Sequence, residues 1–244
     1  MAAVAAESPD IAKKAVNLIK VEYEALPVIT DVEEAIKPEA WPIHEGGNIV
    51  GTSRAEAGNV DEAFQECDYV FEDRYTTQAI HHAAIEPHVA IADFAPNGKL
   101  TVYSPCQNTF AFRVIMSRIF GLSYNRIRMV APAIGGAFGG KLEVTVEPVA
   151  AVLSQMTGKP VKVEYNRKES ILSTRVRHAS VNYVKTGFMK DGTLKAVDFK
   201  VYTNTGAYAS SALNVSGAMS HKALRHIRLT TCVSSASPCT PTPR

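Results

Sequence analysis

Apolar residues recur along this chain with two spacings, and the changes between them mark its elements. After Thr109, the positions Phe112, Ile115, Met116 and Ile119 lie three and four residues apart, on one face of a helix that Gly121 closes. Ile11, Ala15, Leu18 and Ile19 share a face in the same way. They follow Ser8-Pro9-Asp10, which offers a capping hydroxyl, a proline at the first helical position and an acid in the first turn. A longer helix is expected from about Glu143 to Met156, ended by Gly158 and Pro160. Short helices are expected over Asp31 to Ile36 and, behind a capping Asn59, over Val60 to Glu66.

The other spacing is two. Lys20 to Ala25 alternates and reads as a strand stopped by Pro27, and a strand is expected from about Cys67 to Gln78. Val89 to Phe94 and Leu100 to Tyr103 flank the turn sequence Ala95-Pro96-Asn97-Gly98, which predicts a hairpin. Arg126 to Ala131 and Val161 to Tyr165 read as strands, and Ala179 to Met189 with Thr193 to Val201 as a second hairpin around Lys190-Asp191-Gly192. Hairpins mixed with helices define an α+β fold with mixed sheets and packed helices. No internal repeat is present.

Periodicity fails in two places. Residues 38–58 carry Pro38, Pro42, Gly46, Gly47, Gly51 and Gly58 and read as a linker between a first unit, 1–37, and a second, 59–226. Residues 227–244 are rich in Ser, Thr and Pro and aperiodic, which fits either a disordered tail or, the reading favoured here, a reading-frame slip or truncation.

Composition narrows the class. The 244 residues, 46% hydrophobic and 20% charged, suit one or two globular domains. The net charge of +2 is dispersed, with no clustered cations of the kind nucleic acid requires, so no nucleic-acid partner is expected. No apolar run approaches the roughly 20 residues of a membrane span, and the start lacks the basic segment of a signal peptide. Cys67, Cys106, Cys232 and Cys239 form no metal-ligand spacing, which fits free thiols in a reducing compartment, the cytoplasm, and no iron–sulfur cluster on this chain.

The chemistry concentrates in Gly135-Gly136-Ala137-Phe138-Gly139-Gly140-Lys141. Four glycines around one Phe are costly in backbone entropy, which favours a binding loop over an idle turn. Between a strand and a helix, such a loop can aim amide N–H groups at an anion or oxo group, and Lys141 adds charge. Gly135 and Gly140-Lys141 also satisfy the spacing of a nucleotide-binding phosphate loop. Leu142, however, stands where that motif needs Ser or Thr to hold magnesium. His81, His82 and His88 invite a metal reading, but neighbours on a strand face opposite ways and no third ligand is evident, so no histidine-bound metal is expected.

The glycine loop resembles the signature loop of the molybdenum hydroxylases, the xanthine dehydrogenase and aldehyde oxidase family. Ser104-Pro105-Cys106-Gln107-Asn108-Thr109 resembles that family's glutamine-containing loop, and Ala84-Ile85-Glu86-Pro87-His88 its Leu-Glu-Pro segment. Asn166-Arg167-Lys168-Glu169 and Thr205-Gly206-Ala207-Tyr208 also have counterparts, and the likeness covers nearly all but the tail. The resemblance implies that residues 1–37 end a small α/β hammerhead domain and that 59–226 are the first part of an incomplete molybdenum-cofactor-binding domain.

It also implies roles. Gln107 corresponds to a glutamine whose amide reaches an oxo ligand of molybdenum. Phe138 and Gly139 correspond to the pair lying against the metal centre, with the Phe138 ring walling the substrate pocket. Gly135, Gly136 and Gly140 shape the turn, and Glu86 could orient a loop near the site. The cofactor would be molybdopterin, alone or as its cytosine dinucleotide, with the protein supplying contacts but no direct metal ligand. Iron–sulfur and FAD subunits or domains would be the partners. The implied reaction is hydroxylation of a purine, another N-heterocycle or an aldehyde carbon with oxygen from water. Its general base, a glutamate, is expected beyond residue 244, so no catalytic residue is assigned here and the chain alone is expected to be inactive. Leu142 departs from purine-oxidising members with Glu at that place, which leaves the substrate open. Two alternatives stand beside this reading: a non-catalytic remnant that binds cofactor or partner subunits, and a phosphate-loop nucleotide-binding protein.

Overall fold

The computed structural model describes residues 2–225 and 231–239. In chain order the elements are α1 (Pro9–Val16), α2 (Val32–Ala35), β1 (Ser53–Ala57), α3 (Val60–Gln65), β2 (Tyr69–Thr77), β3 (Ile80–His81), β4 (Val89–Phe94) and β5 (Leu100–Tyr103). There follow α4 (Thr109–Phe120), a 3-10 turn (Tyr124–Arg126), β6 (Ile127–Val130), α5 (Glu147–Thr157), β7 (Val161–Glu164), α6 (Arg167–Ser173) and β8 (Val176–Arg177). The remainder is β9 (Ser180–Phe188), β10 (Leu194–Asn204), α7 (Ala212–Arg225) and β11 (Thr231–Cys239). The mixture is α+β, as the two spacings predict.

These elements form two compact units, Met1–Glu24 with His81–Arg177 and Ala25–Ile80 with His178–Arg244. The units interleave along the chain, whereas hydrophobic patterning divides it in succession. A strand can pair with one distant in sequence, and local periodicity carries no record of that partner.

The first unit holds a four-stranded sheet in the order β6-β5-β4-β7. β5 runs parallel to β6, while β4 is antiparallel to both β5 and β7. Ala90, Ala92, Leu100, Val102 and Ile127 from the strands are buried with Met116 of α4 and Val146, Ala150 and Ala151 around the start of α5. The small residues on β4 and α5 let helix and sheet approach closely. The α4 prediction holds, with Gly121 ending the helix in the left-handed conformation at φ 62°, and Asn108 caps its start by accepting from the Ala111 amide.

The second unit is a five-stranded sheet in the order β1-β11-β10-β9-β2. Val32, Ala35 and Val181 form its small buried cluster, packed by Tyr183 and Tyr202. The expected cap of α3 is present, Asn59 accepting from Glu62, and Asp31 caps α2 by accepting from Glu33 and Glu34.

Four expectations need correction. Lys20 to Ala25 forms no strand, and Val21 and Tyr23 are exposed; alternation marks a face, but a strand also needs a neighbour to hydrogen-bond. The presumed linker 38–58 contains β1, which pairs with β11. The presumed aperiodic tail contains β11, parallel to β10 and antiparallel to β1, because ladder bonds come from the backbone whatever the side-chain pattern. Finally, α5 begins at Glu147, not Glu143. Pro148 lies in its first turn, where a missing N–H costs nothing; an earlier start would drive the ring into the carbonyl of residue 144.

Candidate cofactor-binding site

The sheet of the first unit gathers the site at one end. Since β5 and β6 are parallel, with Tyr103 opposite Val130, the segments leaving them emerge together. One is Ser104 to Gln107 and the other leads to the glycine loop. A Ser104 N–H bond to Val130 O (3.0 Å) extends the pairing by a residue. The antiparallel β4 begins at that same end, so Glu86 and His88 enter there. The end of β7 joins them through Tyr165 N–H to His88 O, 2.9 Å.

Gln107 ties two of these segments together. Its N–H donates to Lys141 O at 2.9 Å. Its side-chain oxygen accepts from the Gly139 amide at 3.1 Å and the Lys141 amide at 3.2 Å. With Oε1 turned into the loop, the carboxamide NH2 is the donor Gln107 has left to offer. Behind it, Ser104 Oγ donates to the buried Glu147 at 2.6 Å, and the other oxygen of Glu147 accepts from the Thr145 amide at 2.7 Å. Burial first, and then the Glu147 charge, push the Cys106 thiol above its ordinary pKa, so it stays protonated.

The glycine loop rests on the segment His82 to His88. A Cβ at Gly135 would stand 2.6 Å from Glu86 Cβ, one at Gly136 would meet Ala84 at 3.4 Å, and one at Gly140 would meet His82 Nδ1 at 3.0 Å. Glycine is therefore required by close approach at Gly135, and by positive φ as well at Gly136 and Gly139, both at 98°. His88 Nε2 lies 3.1 Å from Gly140 O; a carbonyl only accepts, so the proton is on Nε2. That leaves His88 Nδ1 buried without a partner among the described residues, as is His82 Nδ1. Burial lowers the pKa of both imidazoles, opposed by a backbone bond to Gly140 for His88 and to Arg175 for His82.

Lys141 is not a surface charge. Its side chain is 4% exposed and Nζ donates to Glu86 Oε2 at 2.7 Å. The Lys141 ammonium is thus paired with Glu86 and not free for the phosphate contact that the nucleotide-binding alternative would need, and the amides of Gly139 and Lys141 are already committed to Gln107. The loop also does not open directly into a helix, since α5 starts at Glu147. Glu143, expected within that helix, instead pairs with the half-buried Arg175.

The loop turns a distinct edge outward. Among the described residues, the amides of Gly136, Ala137 and Phe138 have no acceptor, while those of Gly135, Gly139, Gly140 and Lys141 are bonded within the protein. Phe138 adopts φ 54°, rare for a bulky residue, and the residue is 75% exposed. The exposed Gln107 side chain, the free amides of the half-buried Gly136 and the exposed Phe138, and the Phe138 side chain put hydrogen-bond donors and an aromatic group at the surface, while Ala137 is buried. Hydrogen-bond donors of this kind would suit oxo or anionic groups of a ligand.

Sequence reasoning placed Gln107, Gly135, Gly136, Phe138, Gly139 and Gly140, and the fold brings all six together. It missed Ser104, Glu147, His82 and His88 as supports. Glu147 carried one legible signal, an acid immediately before a helix-starting proline. His81 goes elsewhere, with Nε2 3.1 Å from Thr174 Oγ1. Arg167 donates to Ile85 O at 2.7 Å, and Asn166 with Glu169 forms a capping box for α6. Gly206 makes a turn in the other unit at φ 69°.

Comparison with known proteins agrees with this geometry. Residues 43–232 match the molybdopterin cofactor-binding domain. The chain is 40% identical over 210 residues to a probable xanthine dehydrogenase subunit of Bacillus subtilis, covering 86% of this chain and 28% of that one. It is 38% identical to the nicotinate dehydrogenase large molybdopterin subunit of Eubacterium barkeri, over 86% of this chain and 49% of the relative. Among solved structures, the aldehyde oxidoreductase of Desulfovibrio gigas superposes with a TM-score of 0.89 at 25% identity, covering 97% of this chain and 26% of that one. The chain belongs to the molybdopterin cofactor-binding domain family, within the molybdenum hydroxylases of the xanthine dehydrogenase and aldehyde oxidase type. The chain spans between a quarter and a half of the length of these relatives. No helix among the described residues is long and apolar enough to cross a membrane.

Proposed function

We propose that this chain supplies the oxo-facing wall of the cofactor pocket in the molybdenum subunit of a xanthine dehydrogenase-type hydroxylase. The enzyme hydroxylates an electron-poor carbon of a purine, another N-heterocycle or an aldehyde with oxygen from water. The observation that carries this reading is Gln107: its oxygen is spent on the loop amides of Gly139 and Lys141, so its NH2 faces outward as a donor.

When bound, the molybdenum pterin supplies the two-electron redox chemistry and the oxygen that is transferred. The chain's own residues bind and orient. Gln107 and the free amides of Gly136 and Phe138 would hold oxo or anionic groups of the cofactor, and donors fixed before the reaction need not reorganise during it. The Phe138 ring forms an apolar wall for a flat substrate. Leu142, 46% exposed next to the loop, adds apolar surface where a carboxylate would favour hydrogen-bonding purines. None of these residues is a base. That role belongs to a glutamate outside them, because a neutral water is a poor nucleophile until a positioned carboxylate takes its proton.

The cofactor is the molybdenum pterin or its cytosine dinucleotide, and the partners are iron–sulfur and FAD subunits or domains that carry the electrons away. Residues 1–37 are the end of a hammerhead domain, and the assembly works in the cytoplasm. The relatives' names include both xanthine- and nicotinate-type substrates.

The test is to isolate the protein with its native partners and measure molybdenum and pterin per chain, then turnover on xanthine, nicotinate and benzaldehyde. About one molybdenum and one pterin per chain, with turnover of one class, supports the reading. Absence of both molybdenum and pterin overturns it, and ATP–magnesium binding lost on Lys141→Ala would revive the nucleotide-binding alternative.

A further inference from the structure

Glu86 lies between the two ends of the glycine loop and touches both. Its Oε2 accepts from the Gly135 amide at 2.9 Å and from Lys141 Nζ at 2.7 Å. Its own N–H donates to Gly135 O at 3.0 Å, so Glu86 and Gly135 are bonded in both directions. The first and last residues of a seven-residue loop are thus held through one carboxylate oxygen.

Three features make this more than a local contact. The Lys141 ammonium is almost wholly buried, so Glu86 is the charge that makes its burial tolerable. A loop with four glycines has unusual conformational freedom, and fixing both ends removes most of it before any ligand arrives. Glu86 itself sits on a constrained bed, since Ala83 holds a positive φ of 49° and Arg167 donates to Ile85 O at 2.7 Å.

We propose that Glu86 is a positioning residue for cofactor binding: it clamps the loop at Gly135 and Lys141 so that the free amides of Gly136 and Phe138 and the Gln107 carboxamide present one preformed donor edge. It touches neither cofactor nor substrate. This inference rests on the reading of the loop as cofactor-binding given above. The amides of Gly139 and Lys141 bond to Gln107 and not to Glu86. A merely local Glu86 contact would therefore protect Gly135 alone, whereas a clamp protects all three amides.

The test compares residue-resolved amide hydrogen exchange in wild type, Glu86→Ala and Glu86→Gln, on the protein isolated with its partners. It is paired with the rate at which pterin, read by fluorescence after oxidation, and molybdenum are released on mild heating. For Glu86→Ala, exchange at Gly135, Gly139 and Lys141 should rise roughly 5- to 30-fold, the factor expected for losing one or two such bonds. Amides in β5 and α4 should stay at wild-type rates, and cofactor release should accelerate by a similar factor. Glu86→Gln keeps an acceptor for Gly135 and loses the charge opposite Lys141, so Gly135 should be rescued more than Lys141. The proposal is overturned if only Gly135 responds, if β5 and α4 loosen equally, or if release is unchanged while the loop loosens. If the wild type proves to carry no molybdenum pterin, the function proposed above fails and this proposal with it. A loaded wild type whose variants show any of the three patterns overturns the clamp alone.

Discussion

Gln107 and Lys141 hold each other twice: the Gln107 N–H reaches the Lys141 carbonyl at 2.9 Å, and the Lys141 N–H reaches the Gln107 side-chain oxygen at 3.2 Å. This reciprocal pair joins the segment leaving β5 to the end of the glycine loop. It also decides which end of the Gln107 carboxamide is available to a ligand.

Replacing Gln107 separates its two tasks. Gln107→Glu keeps acceptor oxygens for Gly139 and Lys141 and removes the outward donor. The assembled enzyme should lose roughly 100- to 1000-fold in turnover, the usual effect of deleting one preorganised donor, while exchange at Gly139 and Lys141 stays near wild type. Gln107→Ala should speed exchange at both amides as well. Turnover assays beside amide exchange check this, and equal exchange in both variants would refute it.

Gly135 tests close approach without a conformational argument, since its φ is not positive. The Cβ of Gly135→Ala would lie 2.6 Å from Glu86 Cβ, so the loop or the Glu86 segment must shift. The expected cost is about 1–3 kcal/mol, as for other overpacked sites, with reduced molybdenum content. Chemical denaturation with elemental analysis measures both.

His88 should make stability depend on pH. Burial lowers its pKa in the folded protein, with Lys141 and His81 acting in the same direction and Glu147 against them. The unfolded chain therefore binds more protons than the folded one below about pH 6.5, the ordinary imidazole value. The contribution is fully present above that pH and is lost as pH falls through it, at up to ~1.4 kcal/mol per pH unit for one proton. His82 acts in the same sense. Denaturation midpoints at pH 8, 7, 6 and 5.5 should fall on the acid side, and His88→Gln should flatten the fall. A His88→Gln profile parallel to wild type would show that another group is responsible.

Met116 carries the packing of α4 on the sheet and is fully buried. Met116→Ala should cost ~2–5 kcal/mol through lost transfer energy and a residual cavity. Ile119→Ala, on the half-exposed part of the same helix, should cost markedly less. Urea unfolding of the two variants side by side measures the difference.

Local elements were legible because their causes are local. Asn108 and Gly121 bracket α4, Ala95-Pro96-Asn97-Gly98 closes the β4–β5 hairpin, and Asn59 caps α3, each through groups only a few residues apart. The glycine loop was legible for the same reason, as a run whose backbone freedom needs a use. Failures came where a distant partner decides. Lys20 to Ala25 alternates without a neighbour, whereas residues 231–239 lack a period and still pair on both edges.

By itself the sequence determined the type of most locally patterned elements, several caps and the chemical character of one loop, since 3.6- and 2-residue periods and glycine content act within a single segment. Only the tertiary structure decided that Lys141 is buried, that Glu86 holds it, and that the Gln107 oxygen points inward. Those facts depend on parallel pairing of β5 with β6 and antiparallel pairing of β4 with β5, which bring Glu86, Gln107 and Gly135 to one end of one sheet. Such pairing is a property of backbone hydrogen bonds between remote segments, and no local pattern of side chains encodes it.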